Sequence, residues 1–133
     1  MTLIRFTVPG TPVAKGRPRF APSGHAYTPA KTRSYEDAVR LYARRAMAGK
    51  KMLTGPVELR VTLYFPKKAT AETHTKKPDW DNLGKIISDA CNMIVYHDDA
   101  QVTDSHVCKR YSAEPRAVVV IREIEEETNG GAF

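Results

Sequence analysis

Val57-Glu-Leu-Arg-Val-Thr-Leu-Tyr-Phe65 decides the fold class, because its apolar residues fall on every second position without a fault. Side chains alternate across a strand, so Val57, Leu59, Val61, Leu63 and Phe65 face a core while Glu58, Arg60, Thr62 and Tyr64 face away. Toward the C-terminus, Leu83, Ile86, Ile87, Ala90 and Ile94 recur at helical spacing and predict a helix from about Asn82 to Met93. Strands follow near 102–111 and 116–124, and residues 126–133 read as a frayed acidic tail. Toward the N-terminus, Tyr35, Ala38, Val39, Tyr42 and Ala46 mark one face of a helix starting at Thr28-Pro29 and ending near Gly49. Ile4, Phe6 and Val8 alternate with Arg5 and Thr7 in a first strand. The proline- and glycine-rich stretch 9–29 reads as a long loop, and the polar stretch 66–77 as a mobile one. The order is β-α-β-α-β-β: an α+β single domain over 1–133, with a mixed β-sheet and two main helices packed on it.

The 133 residues carry a net charge of +6, distributed unevenly. Residues 1–78 hold 16 Lys and Arg against 4 Asp and Glu, and residues 79–133 hold 5 against 11. The first half therefore resembles a polyanion-binding surface and the second a place that concentrates carboxylates. Basic charge alone fits an ordinary bacterial protein equally well. Cys91 and Cys108 form no CxxC pair and no Cys/His grouping with zinc spacing, so a reduced, cytoplasmic protein is expected. The N-terminal apolar stretch is short and interrupted by Arg5, unlike a signal peptide, and no run approaches the roughly 20 apolar residues that span a bilayer.

The chemistry concentrates in Asp79-Trp-Asp-Asn-Leu-Gly-Lys85 and His97-Asp-Asp99. In extended chain, Asp79 and Asp81 point to one side, and Asp81 is a natural N-cap for the following helix. If the chain doubles back after that helix, Asp98 and Asp99 return beside them and three or four carboxylates converge. Two carboxylates about 4 Å apart repel by about 4 kcal/mol at an effective dielectric near 20, and a divalent cation reverses that sign. An all-oxygen set without His or Cys favours Mg²⁺, with Mn²⁺ as a substitute, over zinc. Asp79, Asp81, Asp98 and Asp99 are the candidate ligands. The plain alternative makes Asp81 a helix cap and Asp98-Asp99 turn residues. Lys85, one turn beyond Asp81, is placed to stabilise charge on a scissile phosphate, or else merely to pair with Asp81. Asp89 extends the same stripe and reads as supporting or structural; His74 and His97 read as bystanders.

Candidate DNA contacts are Lys15, Arg17 and Arg19 in the N-terminal loop, Arg40 and Arg44 with Arg33 on the first helix, and Lys76 and Lys77 with Lys67 and Lys68 beside the carboxylates. Phe20 reads first as a loop anchor in the core and second as a wedge at opened DNA.

Lys77-Pro-Asp-Trp-Asp-Asn-Leu-Gly-Lys85, Asp89-Ala90, Asp98-Asp-Ala-Gln-Val102 and Lys109 resemble the RusA family of Holliday-junction resolvases. Pro9-Gly10, Lys15-Gly-Arg-Pro-Arg-Phe20 and Tyr27-Thr-Pro29 with Thr32, Tyr35 and Glu36 resemble its phage and prophage branch. The resemblance implies a homodimeric, Mg²⁺-dependent endodeoxyribonuclease that resolves four-way DNA junctions by paired nicks in recombination and repair. It implies metal ligation by Asp79, Asp81 and Asp99 and a catalytic role for Lys85. The chain departs from the family at Asp89-Ala-Cys-Asn-Met93 and at Trp80, changes that touch the helix end and any dimer contact there rather than the carboxylates. The second helix, whose continuation Cys91–Ile94 is unusually apolar for a helix end, is a candidate dimer contact. Alternative readings are a metal nuclease for other branched, flapped or RNA substrates, and a non-catalytic DNA-binding module.

Overall fold

Strand β4 (Val57–Pro66) is paired on both edges, parallel to β5 (Val102–Ser112) and antiparallel to β6 (Arg116–Glu123), so it lies inside the sheet as its unbroken alternation requires. The computed structural model describes residues 2–16, 19–27, 29–66 and 74–125. Strand β1 (Leu3–Pro9) completes a four-stranded sheet in the order β1-β6-β4-β5. Parallel strands cannot be joined by a tight turn. The link between β4 and β5 accordingly carries helix α2 (Trp80–Cys91) over one face, where it packs against α1 (Ala30–Ala46).

The core is the layer between that face and the two helices. Val57, Leu59, Val61, Leu63 and Phe65 of β4 meet Ile4, Phe6 and Val8 of β1 and Ala117, Val119 and Ile121 of β6. From above come Tyr35, Val39 and Ala43 of α1 and Leu83, Ile86, Ile87, Ala90 and Cys91 of α2, all buried. Each large aliphatic buried this way contributes about 1.5–3 kcal/mol.

The α+β order is as the alternation predicts, with four local differences. The stretch 9–29 holds a two-stranded hairpin, β2 (Arg19–Phe20) with β3 (Ala26–Tyr27), turned at Gly24 with φ +83°. That hairpin pairs only with itself, and Phe20 is 73 % exposed rather than anchored in the core. Helix α2 begins and ends two residues earlier than its periodicity suggests. Asp79, not Asp81, occupies the cap position in extended conformation, and the Leu83 N–H donates to the Asp79 carbonyl at 3.2 Å. At the other end, Met93 takes φ +65° and its N–H donates to the Tyr96 carbonyl, which stops the helix. Consequently Cys91 is core, Ile94 is half-buried and Met93 is the strongly exposed residue of the run 91–94. Finally, α1 is capped by Pro29; Thr28, Arg17 and Pro18, the basic stretch 67–73 and the tail 126–133 lie outside the described residues.

Among the described residues, no helix covers the sheet's other face. There Glu58 accepts from Arg60 Nε at 2.9 Å and from Arg122 at 3.3 Å. Arg60 first, then Arg122, hold its carboxyl down at about 2, against an ordinary value of 4.5. A depressed folded-state value means that the carboxylate stabilises the fold above about pH 4.5 and that this contribution is lost as pH falls toward 2. Both arginines are partly solvated, so the effect is modest. In thermal unfolding between pH 2 and 7, Glu58→Gln is expected to flatten the pH dependence of stability below pH 5 by up to one proton's slope, with a modest loss of stability at neutral pH that vanishes as pH approaches 2.

Candidate active site in the groove between helix α2 and strand β5

The approach to α2 is fixed from below. Lys109, on the core-facing row of β5 opposite Leu63, sends its ammonium to the carbonyls of Lys76 at 2.5 Å and Pro78 at 2.7 Å. The Lys109 carbonyl in turn accepts from the His74 N–H at 3.3 Å. A charged donor on neutral carbonyls is a strong tie, and it sets where the chain delivers Asp79.

Asp79 uses its cap position without capping: its Oδ2 accepts from Lys77 Nζ at 2.8 Å, and the carboxylate is half exposed. Asp81 sits in the first turn and lines a groove between α2 and β5 together with Trp80, Lys85, Ser88 and Asp99. The groove encloses about 290 Å³. It is narrow at its floor because Gly84 presses on β5; a Cβ there would stand 3.1 Å from Val107 Cγ2. Lys85 is exposed, and among the described residues it makes no ion pair with Asp81, so the helix-surface pairing that competes with a catalytic role is not formed.

Asp99 arrives on a single 3₁₀ turn (Asp99–Gln101). Gln101 pins that turn: its Nε2 donates to the Leu53 and Gly55 carbonyls, both at 2.9 Å, while its Oε1 accepts from the His97 and Asp98 N–H groups. The Asp98 carboxylate accepts from the Ala100 N–H at 3.3 Å and completes a capping box. Asp98, a candidate ligand by sequence, is therefore engaged as a cap. The Asp98 carboxylate, partial burial and the Asp89 carboxylate together push the Asp99 carboxyl above the usual carboxylate range.

The chain doubles back as expected, but it meets the far half of the helix. Strand β5 starts opposite Val57, the first residue of β4, so the turn before it lies beside Asp89 rather than beside Asp79. Asp81 and Asp89 are two helical turns apart, about 12 Å along the axis. The structure thus brings Asp99 to Asp98 and Asp89, and of these aspartates Asp81 and Asp99 are the two that share the groove's lining. Among the described residues, no three His, Cys, Asp or Glu side chains form a closed metal-holding group. The donor chemistry nonetheless fits a hard divalent cation: Asp81 and Asp99 are oxygen donors facing one groove, and the crowding at Asp99 is negative charge that a cation relieves. Magnesium is commonly held by one or two carboxylates with water and substrate phosphate completing its shell.

The basic candidates divide by position. Lys76, Lys77 and Lys85 are exposed around the start of α2, and Arg44 is exposed on α1. Arg40 is drawn into pairs with Glu36 and Asp37, each at 2.9 Å. Arg19 lies in β2 with its side chain outside the described residues, as is all of Arg17. Lys15 turns inward: its Nζ bridges Asp89 of α2 at 3.0 Å and Glu36 of α1 at 3.2 Å, and its N–H donates to the Asn82 carbonyl. Burial opposes its charge, but the hydrogen bonds to Asp89 and Glu36 outweigh burial and raise its pKa. Glu36, Gln101 and the role of Lys109 escape sequence reasoning. Only the Asp98-x-x-Gln101 spacing carries a local signal, that of a capping box.

Removing the Lys15 bridge takes its cation from Asp89 and leaves the nearly buried Glu36 with Arg40 alone. Lys15→Met is expected to cost about 1–3 kcal/mol in urea unfolding and to leave the salt dependence of DNA binding unchanged. Unaltered stability with a shallower salt dependence would place the ammonium on DNA instead.

The family model for endodeoxyribonuclease RusA matches residues 9–122, a span that contains the groove, Lys15 and Lys109. The chain is similar to the uncharacterized protein YqaN of Bacillus subtilis (strain 168), at 41 % identity over 141 residues covering 93 % of this chain and 99 % of that protein. With most of its length inside the match, the chain belongs to the RusA endodeoxyribonuclease family.

Proposed function

We propose that this protein is a Mg²⁺-dependent endodeoxyribonuclease that cuts four-way DNA junctions by paired nicks, acting as a symmetric dimer. The observation that carries the reading is the groove itself, in which Asp81, Asp99 and Lys85 share one lining beside the exposed lysines 76 and 77. Asp79, Asp81 and Asp99 are the proposed ligands. When bound, a divalent cation neutralises charge at the phosphate and activates water for attack. Lys85 stabilises charge on the phosphate oxygens as the bond breaks. Lys77 and Lys76 hold the neighbouring phosphates, while Gln101 keeps the Asp99 turn from moving. Family membership supports cleavage of DNA, and four-way junctions need two opposed cuts. A twofold pair of chains supplies two sites with the symmetry of that substrate.

The test is cleavage of a labelled four-way junction beside its matching linear duplex, with and without Mg²⁺. Junction-selective nicking that stops in chelator is expected; equal cutting of duplex, flap and junction would favour a general branched-DNA nuclease, and no cutting a binding module. Asp79→Asn, Asp81→Asn and Asp99→Asn are each expected to abolish cleavage with junction binding intact or tighter, because negative charge near DNA is removed. Wild-type rates in any two of them would remove the metal assignment. Sedimentation at micromolar concentration is expected to give a dimer.

Lys85→Ala separates its two roles by magnitude. A surface lysine without a catalytic task costs a few tenths of a kcal/mol and little rate; one that stabilises the transition state costs ~10²-fold in cleavage rate with folding unchanged. The larger loss is expected, with only partial rescue by Lys85→Arg.

A further inference from the structure

On the other side of the start of α2 from the acidic groove lies a second concavity. It is formed where the loop after β1 passes the end of β4 and the chain entering α2, and it encloses about 480 Å³. Ligand pockets typically span roughly 300–1,000 Å³, so it can hold a flat heterocycle. Its floor is a stack of rings: His74 lies on Phe65 with centroids 4.1 Å apart and planes 23° apart, and Tyr111 leans against His74 at 5.0 Å. Pro12, Val13 and Pro78 form apolar walls. The rim carries Lys31, Lys76 and Lys77, all exposed, and no acidic residue is among the described residues that line it. Lys77 is also the residue whose Nζ touches Asp79 at 2.8 Å, so cavity and candidate metal site share a lip.

We infer that this cavity is a nucleotide pocket: it receives one unstacked base of the DNA strand next to the scissile phosphate, with its rim lysines on the flanking phosphates. This rests on the DNA-cutting reading above. An aromatic floor accepts any base by its π-face, so the pocket adds affinity without strong sequence preference. A base leaves a regular duplex only at a cost, which is smallest where pairing is already broken. A branch point supplies such bases, and the pocket therefore favours branched over linear DNA without reading base edges. The three lysines supply the phosphate attraction that an apolar cavity alone lacks.

The test is a binding cycle by fluorescence anisotropy in chelator, so that nothing is cut. The probes are a four-way junction, the same junction with abasic sites at the positions flanking the branch, and a short single-stranded oligonucleotide. Wild type is expected to lose about tenfold in affinity at one abasic position. Two variants are used: His74→Ala removes a ring of the floor, and Thr11→Trp, at an exposed rim position, fills the mouth without touching the core. Each is expected to lose about tenfold on the intact junction and the single strand, and nothing further on the abasic junction. A protein that shows no junction preference or cutting but loses single-strand affinity in both variants keeps the pocket and discards the junction reading. Unchanged affinity of Thr11→Trp, together with wild-type binding by His74→Ala, overturns the pocket whether or not junctions are cut.

Discussion

The parallel pairing of β4 with β5 is the constraint from which the rest of the molecule follows. Two parallel strands need a crossover, and with one sheet face already committed to the core, the crossover helix must cover that face. Its start is then bound to the end of β4 and its finish to the beginning of β5. An aspartate from the start of α2 and one from the turn before β5, Asp81 and Asp99, are thereby brought to line one groove. The tie from Lys109 to the Lys76 and Pro78 carbonyls closes the arrangement, because it fastens the chain entering the helix to the strand that the helix leads into.

A groove of that kind has to manage its own charge. Five aspartates, at 79, 81, 89, 98 and 99, lie on or beside α2, and each is handled differently. Lys77 answers Asp79 in the open, where pairing contributes little. Lys15 answers Asp89 from within, held above its ordinary pKa by two carboxylates. Asp98 spends its charge on an N–H of the 3₁₀ turn. Asp81 and Asp99 are left facing the groove, and Asp99 carries the residual repulsion. The groups with least internal compensation are thus the two that share a lining with Lys85, which is where a divalent cation and a phosphate have most to offer.

What could be read from the sequence follows the range of the forces involved. The alternation in Val57–Phe65 and the periodic apolar residues of α2 are local patterns imposed by burial, so strands, helices and their order are legible. The hairpin at Arg19–Tyr27 is too short to show a pattern, and the end of α2 is set by the Tyr96 carbonyl, which takes the Met93 N–H. Asp79, Asp81, Asp99 and Lys85 stand out because their spacing is chemically unusual. The approach of Asp99 to Asp89 does not, since it depends on where β5 starts relative to β4. Lys15 illustrates the same limit: a basic residue in a glycine-rich loop reads as a phosphate contact, and only the packing of α1 on α2 turns it into an interior bridge.

The ridge Lys77-Pro78-Asp79-Trp80 separates two surfaces of opposite character. On one side are exposed lysines around an aromatic-floored cavity; on the other are carboxylates in a groove with a single lysine. On the proposed function, a phosphodiester chain is drawn to the first and repelled by the second, so that without a cation DNA would settle against the lysines and stop at the ridge. A divalent cation held by the carboxylates would reverse the sign of the second surface and let the next phosphate cross it. On the proposed reading, binding and cutting have separate requirements within one short segment: affinity rests on lysines that need no metal, and scission on carboxylates that hold one. On that reading, neutralising an aspartate disables scission and, by removing negative charge, leaves the neighbouring surface no less attractive to DNA.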